Sequence, residues 1–433
     1  MRATPLAVYT GASINQGGKT VMTSMTRRWT ARGVAVAVAF ALLWGAGGAG
    51  VYVLLGSHRS ALAGPAARPG ESGSAVSPLL AALPGSLYLI QGGALYRLQR
   101  GQFTTILPAG GWTQPAALPA GQGLIVVRRD ASGFSDLYRV DAAGHTQQLT
   151  RDQGQGGVPG RDPGGQVVTQ YWAMYPRVSA SATQLYFATD RYKHVRCCPY
   201  DVTLRVAQMP VAGGTLKFWT ADGVTQSDPH TQDGDYAGGD AQPVPLASGA
   251  VLFVRYALAV GSIASQLMLV TQPRAAPVAL TAPEDHCAQP AVSPDGTKVA
   301  LICSYGKQPT SIEVAAFDGT SLGPRRVVVA GVQAAQPAWS ADGSRLVYLA
   351  PAGVAGHFQL WSATPPAALP TPTPAPARQQ PAGRRRATPT PTPPTATATA
   401  APPPPPSPGS LPPPVQLTTN LDFDATSPIA WGT

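Results

Sequence analysis

Charge is scarce in this chain. Lys and Arg number 31 and Asp and Glu 21, together 12% of 433 residues, about half the usual share of about 25% in globular proteins. Cysteine is scarcer still, with four residues, no Cys-x-x-Cys spacing and six dispersed histidines, which argues against a zinc site. No stretch carries helical periodicity over the length that a parallel α/β fold needs between its strands. The net charge is +10, yet the arginines are scattered and form neither a basic helix nor a basic strand interleaved with aromatics. Nucleic acid is therefore not expected as a partner.

What the chain has in excess is glycine and proline, 47 and 46 residues, with many prolines in one tract near the C-terminus. Setting aside that tract and the N-terminal segment leaves roughly 280 residues, enough for one large all-β domain.

The only long apolar run lies from Gly33 to Gly56, 24 residues without a charge. A helix rising about 1.5 Å per residue over that length crosses a hydrocarbon core of about 30 Å. Arg27, Arg28 and Arg32 precede it, so the positive-inside rule leaves residues 1–32 as a cytoplasmic tail and puts the rest outside. The reading is a signal anchor over 33–56, with a linker over 57–83. A cleaved signal peptide is the alternative, since Ala61-Leu62-Ala63 offers a cleavage site. Gly17-Gly18-Lys19-Thr20 lacks the first glycine of a phosphate-binding loop, because Ser13 stands in its place; it is read as chance.

The informative signal is repetition. A turn-flanked strand with proline near its start recurs as Gln114-Pro115-Ala116, Tyr175-Pro176-Arg177, Gln242-Pro243-Val244, Gln289-Pro290-Ala291 and Gln336-Pro337-Ala338. A tight turn follows, clearest in Ser293-Pro294-Asp295-Gly296 and Ser340-Ala341-Asp342-Gly343, where Pro and Gly set the dihedrals and Asp bonds its own backbone. Next comes an apolar β-rich run, such as Val299 to Cys303 or Leu346 to Leu349. A third strand like Asp136 to Asp141 and a closing strand like Gln147 to Thr150 complete the unit.

These blocks carry a resemblance. QPAVSPDGTKVALIC, QPAWSADGSRLVYLA, LYFATDR and DLYRVDAAGHTQQLT are similar to the repeats of the TolB-type β-propeller family (WD40-like, PD40 repeats). The resemblance covers residues 84–366 and the last 20, and it implies a fold far more than an activity, since related repeats also accompany prolyl-oligopeptidase-type peptidases.

The chain ends sharpen the expectation. Gly85 to Leu89 starts at a second strand, and Ser427-Pro428-Ile429-Ala430-Trp431 copies the missing proline strand. Counting prolines 428, 115, 176, 243, 290 and 337 predicts an all-β, six-bladed β-propeller over 84–362, closed by strands in 415–433. The Pro/Thr-rich segment 363–414 then falls inside the last blade as a disordered insertion. It is open to O-glycosylation, cell-wall contact or docking, or else is inert.

Candidate chemistry is sparse. Cys287 and Cys303 sit symmetrically about Asp295, opposite each other across a hairpin, and are expected to form a disulfide in an oxidising compartment. Cys197-Cys198 could pair vicinally, bond elsewhere or stay reduced. Asp233 to Asp240 lacks the spacing and final Glu of a calcium loop and is read as solvated. Strand-end acids converging in a channel would suit glycoside cleavage, but no spacing selects a pair. No cofactor or metal is implied. The expectation is a membrane-held, extracytoplasmic, non-catalytic module that binds a protein or glycan, with the loops Arg191 to Asp201 and Asp228 to Asp240 as contact surface. The alternative is an extracytoplasmic hydrolase or lyase acting on glycan or peptide.

Overall fold

The computed structural model describes residues 66–131, 133–151, 160–161, 167–168, 171–191, 203–221, 238–259, 262–305, 309–352, 356–372 and 411–432. The membrane segment at 33–56, Cys197, Cys198, most of the 363–414 insertion and most of the two candidate contact loops lie outside these. Among the described residues every regular element is a strand or a short 3-10 turn, and no helix is long and apolar enough to cross a membrane.

Four sheets have four antiparallel strands each. The first joins Ala430–Gly432, Ser86–Gln91, Ala94–Gln99 and Gln102–Leu107; the second joins Trp112–Ala117, Leu124–Arg129, Ser135–Val140 and Thr146–Gln148. A third joins Ala288–Val292, Lys298–Cys303, Ser311–Ala316 and Arg326–Val329. The last joins Ala335–Trp339, Leu346–Ala352, His357–Ala363 and Val415–Gln416. Between the second and third lies one sheet of eight strands, running from Ala173–Val178 to Val278–Ala279. Two separate four-stranded units were expected there. They are joined by a short parallel ladder, Thr203 opposite Gly238 and Leu204 opposite Gly239. Gly239, at φ +127°, makes this join: a β-carbon there would collide with the Leu204 backbone.

The repeating turns form as their residues dictate. Asp295 accepts from Ser293 Oγ, from Thr297 N at 3.1 Å and from Thr297 Oγ1 at 2.7 Å, and Asp342 repeats the pattern with Ser340 and Ser344. The Ser293 hydroxyl first, then Thr297, hold the Asp295 carboxyl down to about 2.

Alternating apolar residues on each sheet meet those of the next. Ile90, Leu95 and Leu107 of the first sheet pack on Leu124, Val126 and Val140 of the second. The series closes where Val347, Leu349 and Leu360 of the last sheet pack on Leu87, Leu89 and Leu98 of the first. Segment 417–429 lines that junction with Leu421, Phe423 and Ile429. The seam is then tied by Ala430–Gly432, with Trp431 opposite Leu87 and Ala430 opposite Tyr88.

The start of the domain lies earlier than the expected boundary at 84. Ala75–Val76 pairs with Thr418–Thr419, and Leu80 is buried in the seam core. Leu80, inside the linker, is the sequence trace of this packing, while Leu79 beside it is exposed. The insertion departs after His357–Ala363 and returns at Val415–Gln416, which pairs with that strand through Trp361 and Ser362.

Candidate functional site

The proline-bearing strands of successive units pack side by side in a closed cycle. Each strand resolved with its Gln-Pro or Tyr-Pro step has a register shift at that step. Proline has no N–H to give the ladder, so the strand bulges there and re-aims the preceding side chain. Gln114, Tyr175, Gln242, Gln289 and Gln336 all adopt φ between 51° and 54°, a conformation that costs a non-glycine residue about 1–3 kcal/mol and must be held by its surroundings.

What holds it is a relay of hydrogen bonds from unit to unit. Ser427 Oγ accepts from Gln114 N at 2.8 Å, and Gln114 Oε1 accepts from Tyr175 N at 2.7 Å. Gln242 Oε1 accepts from Gln289 N at 2.7 Å, and Gln289 Oε1 accepts from Gln336 N at 2.6 Å. Gln336 Nε2 then donates to Ala425 O at 3.0 Å, back beside Ser427. The fold is a β-propeller.

In the propeller these side chains surround the axis. Replacing Gln289 by Leu removes the acceptor of a buried N–H and is expected to lower stability by about 1–3 kcal/mol. Chemical denaturation of the full chain measures it; an unchanged midpoint would remove the relay from the account.

The proline strands also carry donor groups outside this relay. Gln114 is fully buried, and its Nε2 has no hydrogen-bond partner. Burial raises the Tyr175 hydroxyl, and pushes that of Tyr256 well above 10, so both keep their protons at neutral pH. Arg177 stands where the other units carry Ala116, Val244, Ala291 and Ala338. Its Nη1 donates to the neighbouring Pro176 O at 3.0 Å, and it forms no ion pair among the described residues. Burial draws Arg177 down to about 10, still charged at neutral pH. Asp424 is occupied by Thr426 N at 2.9 Å and Thr426 Oγ1 at 2.6 Å.

Among the described residues, strand-end acids have local partners. Asp136 accepts from Thr150 Oγ1 at 2.8 Å and Gln148 Nε2 at 3.1 Å, and Asp190 accepts from Trp172 N at 2.6 Å. Asp240 takes both arms of Arg255, at 2.7 and 2.9 Å. No group of three or more His, Cys, Asp or Glu suited to a metal occurs among the described residues.

Cys287 and Cys303 are bonded, S–S 2.08 Å. Beside them lies a network absent from the sequence reading. Arg325 Nη2 is 2.8 Å from Asp285 and its Nε 3.1 Å from Glu313, both carboxylates buried. Glu313 within the apolar strand Ser311–Ala316 was the signal that could have revealed it. Gly319-Thr320-Ser321-Leu322-Gly323 matches a hydrolase elbow by letter, but it is a turn in which Ser321 Oγ donates to Asp318 at 2.8 Å, between two antiparallel strands.

No family model matches the sequence, and no curated protein does either. Among solved structures the chain is similar to TolB from Acinetobacter baumannii, at 16% identity over 65% of this chain, TM-score 0.46. It spans 61% of that protein's length. It is also similar to an oligogalacturonate lyase from Vibrio parahaemolyticus, at 14% identity over 62% of this chain and 68% of that one, TM-score 0.40. A puromycin-hydrolyzing peptidase of Mycobacterium tuberculosis aligns at 15% identity over 70% of this chain and 40% of its own, TM-score 0.36.

Proposed function

We propose that the chain is a six-bladed propeller held at the outer face of a membrane by residues 33–56, and that it binds rather than transforms a ligand rich in acceptor groups. What supports this is a set of donors on the proline strands: Arg177, which forms no ion pair among the described residues, and the orphaned Gln114 Nε2, with the protonated Tyr175 and Tyr256. Carbonyl and carboxylate oxygens are the complement of such a surface, as on a peptide or an acidic glycan.

Six is supported by the eight-stranded sheet itself. Each half opens with a bulged proline strand, Ala173–Val178 and Gly238–Pro245, and only the two-pair parallel ladder joins them. The outside location rests on the arginines before the apolar run.

The test uses the full chain in a mild detergent against peptides with free C-terminal carboxylates and acidic oligosaccharides. Binding without turnover is expected, weakened about tenfold or more by Arg177→Ala, because a hydrogen bond from a charged donor contributes about 1.5–3 kcal/mol. Turnover of any panel member by the chain alone would replace the binding reading with the hydrolase or lyase one. Binding indifferent to Arg177→Ala would move the site off the axis.

A further inference from the structure

A second recess lies away from the axis, at the edge of the junction between the first and second sheets. Deep in that junction the facing residues are apolar, Ile90 and Leu95 against Leu124 and Val126. Toward the rim the same face of the first sheet turns polar with Tyr88, Arg97, Ser86 and Gln99, and packing opens into a cavity of about 210 Å³. Tyr88 and Arg97 are direct cross-strand neighbours, so their side chains share that face. The hairpin around Gly121 and Gly123 and the closing strand at Gly432 complete the wall.

The Nε of Arg97 is enclosed without a hydrogen-bond partner, and among the described residues its guanidinium makes no ion pair. Buried polar groups in native proteins are nearly always satisfied, so a guanidinium lining a cavity with an orphaned nitrogen points to an absent acceptor. Asp141, on the opposite wall, is already taken by Ala143 N at 2.9 Å, His145 N at 2.8 Å and His145 Nδ1 at 2.9 Å. Those bonds, the one from the His145 ring first, hold its carboxyl below the usual range, so it stays anionic.

We propose that this cavity binds a small monocarboxylate, its oxygens on the Arg97 fork and its short hydrocarbon part against Ile106, Leu118 and the Tyr88 ring. The fork geometry of arginine suits carboxylate and phosphate alike, but the fixed negative charge of Asp141 on the opposite wall disfavours a dianion. The small volume, below the range of about 300–1,000 Å³ for larger ligands, limits the hydrocarbon part to a few carbons.

Isothermal titration of the full chain in a mild detergent with butyrate and with inorganic phosphate tests this. Butyrate is expected to saturate and to bind more tightly than phosphate. Arg97→Gln is expected to weaken butyrate about tenfold or more with the melting temperature unchanged, since no ion pair of Arg97 among the described residues is lost. Arg97→Lys, which keeps the charge but not the fork, is expected to lose less. The proposal is overturned by the absence of saturation with butyrate, by phosphate binding more tightly, by Arg97→Gln binding within twofold of the parent, or by equal losses in both variants with a lowered melting point.

Discussion

Removal of residues 420–433 is expected to abolish the cooperative melt of the entire domain, not of one sheet. The deleted segment buries Leu421, Phe423 and Ile429, at 0%, 1% and 7% exposure, in the core between the last and first sheets. At about 1.5–3 kcal/mol for each large apolar side chain, their loss approaches the whole stability of an ordinary domain, about 5–15 kcal/mol. Three further ties go with them: Gln114 N to Ser427 Oγ, Gln336 Nε2 to Ala425 O, and Asp424 N to Ile90 O. Ser86–Gln91 would also be left as an unpaired edge, open to association with other chains. Calorimetry of the truncated and full chains measures the effect; identical melting curves would mean that the ring does not depend on its seam.

The second large effect is expected at Arg325. This side chain is 22% exposed and faces Glu313 at 0% and Asp285 at 8%, so Arg325→Met leaves two buried carboxylates without a counter-charge. Breaking such a pair from one side costs about 3–5 kcal/mol. Replacing the acids too, with Glu313→Gln and Asp285→Asn, is expected to recover much of the loss, because the penalty lies in the stranded charge. Urea denaturation of the single and triple variants separates the two contributions. If the single variant is as stable as the parent, the network is solvated and does not tie its strands. The same arginine lies 3.6 Å from Cys287 Sγ, so the network and the disulfide brace one end of the same sheet.

The features legible in the sequence are local ones. Gln-Pro steps, Ser-x-Asp-Gly turns and apolar runs each occupy a few consecutive residues, and they marked the strands Lys298–Cys303 and Leu346–Ala352 to within a residue or three. The seam was legible because Ser427 to Trp431 repeats a pattern found elsewhere, displaced to the far end of the chain. The Cys287–Cys303 register followed from symmetry about Asp295, and the ladder keeps it: Ala288 lies opposite Ile302.

Features that depend on distant residues were not legible. The Thr203–Gly238 ladder requires a glycine to approach a strand more than 30 residues earlier, and nothing local to either segment announces the meeting. Arg325 finds its partners 12 and 40 residues away. Gln before Pro was visible as a repeat, but its purpose emerged only once Gln114, Gln242 and Gln289 were seen to accept the next unit's N–H. Arg177 could have been picked out by aligning the units, since the equivalent positions are Ala116, Val244, Ala291 and Ala338, whereas Arg97 could not, because Tyr138-Arg139 repeats Tyr96-Arg97.

The claim on which the rest depends is that Ala430–Gly432 closes the ring against Ser86–Gln91. Disulfide trapping of the strand register tests it most directly. Leu87 and Trp431 are direct cross-strand partners, whereas Ala430 stands opposite Tyr88, so a cysteine at 430 projects from the other face of the sheet. Oxidation of the Leu87→Cys, Trp431→Cys chain, followed by mass spectrometry of its peptides, is expected to give the linked 87–431 pair. The Leu87→Cys, Ala430→Cys chain is expected to stay unlinked. Linkage in the second and not in the first, or in neither, would contradict the closure.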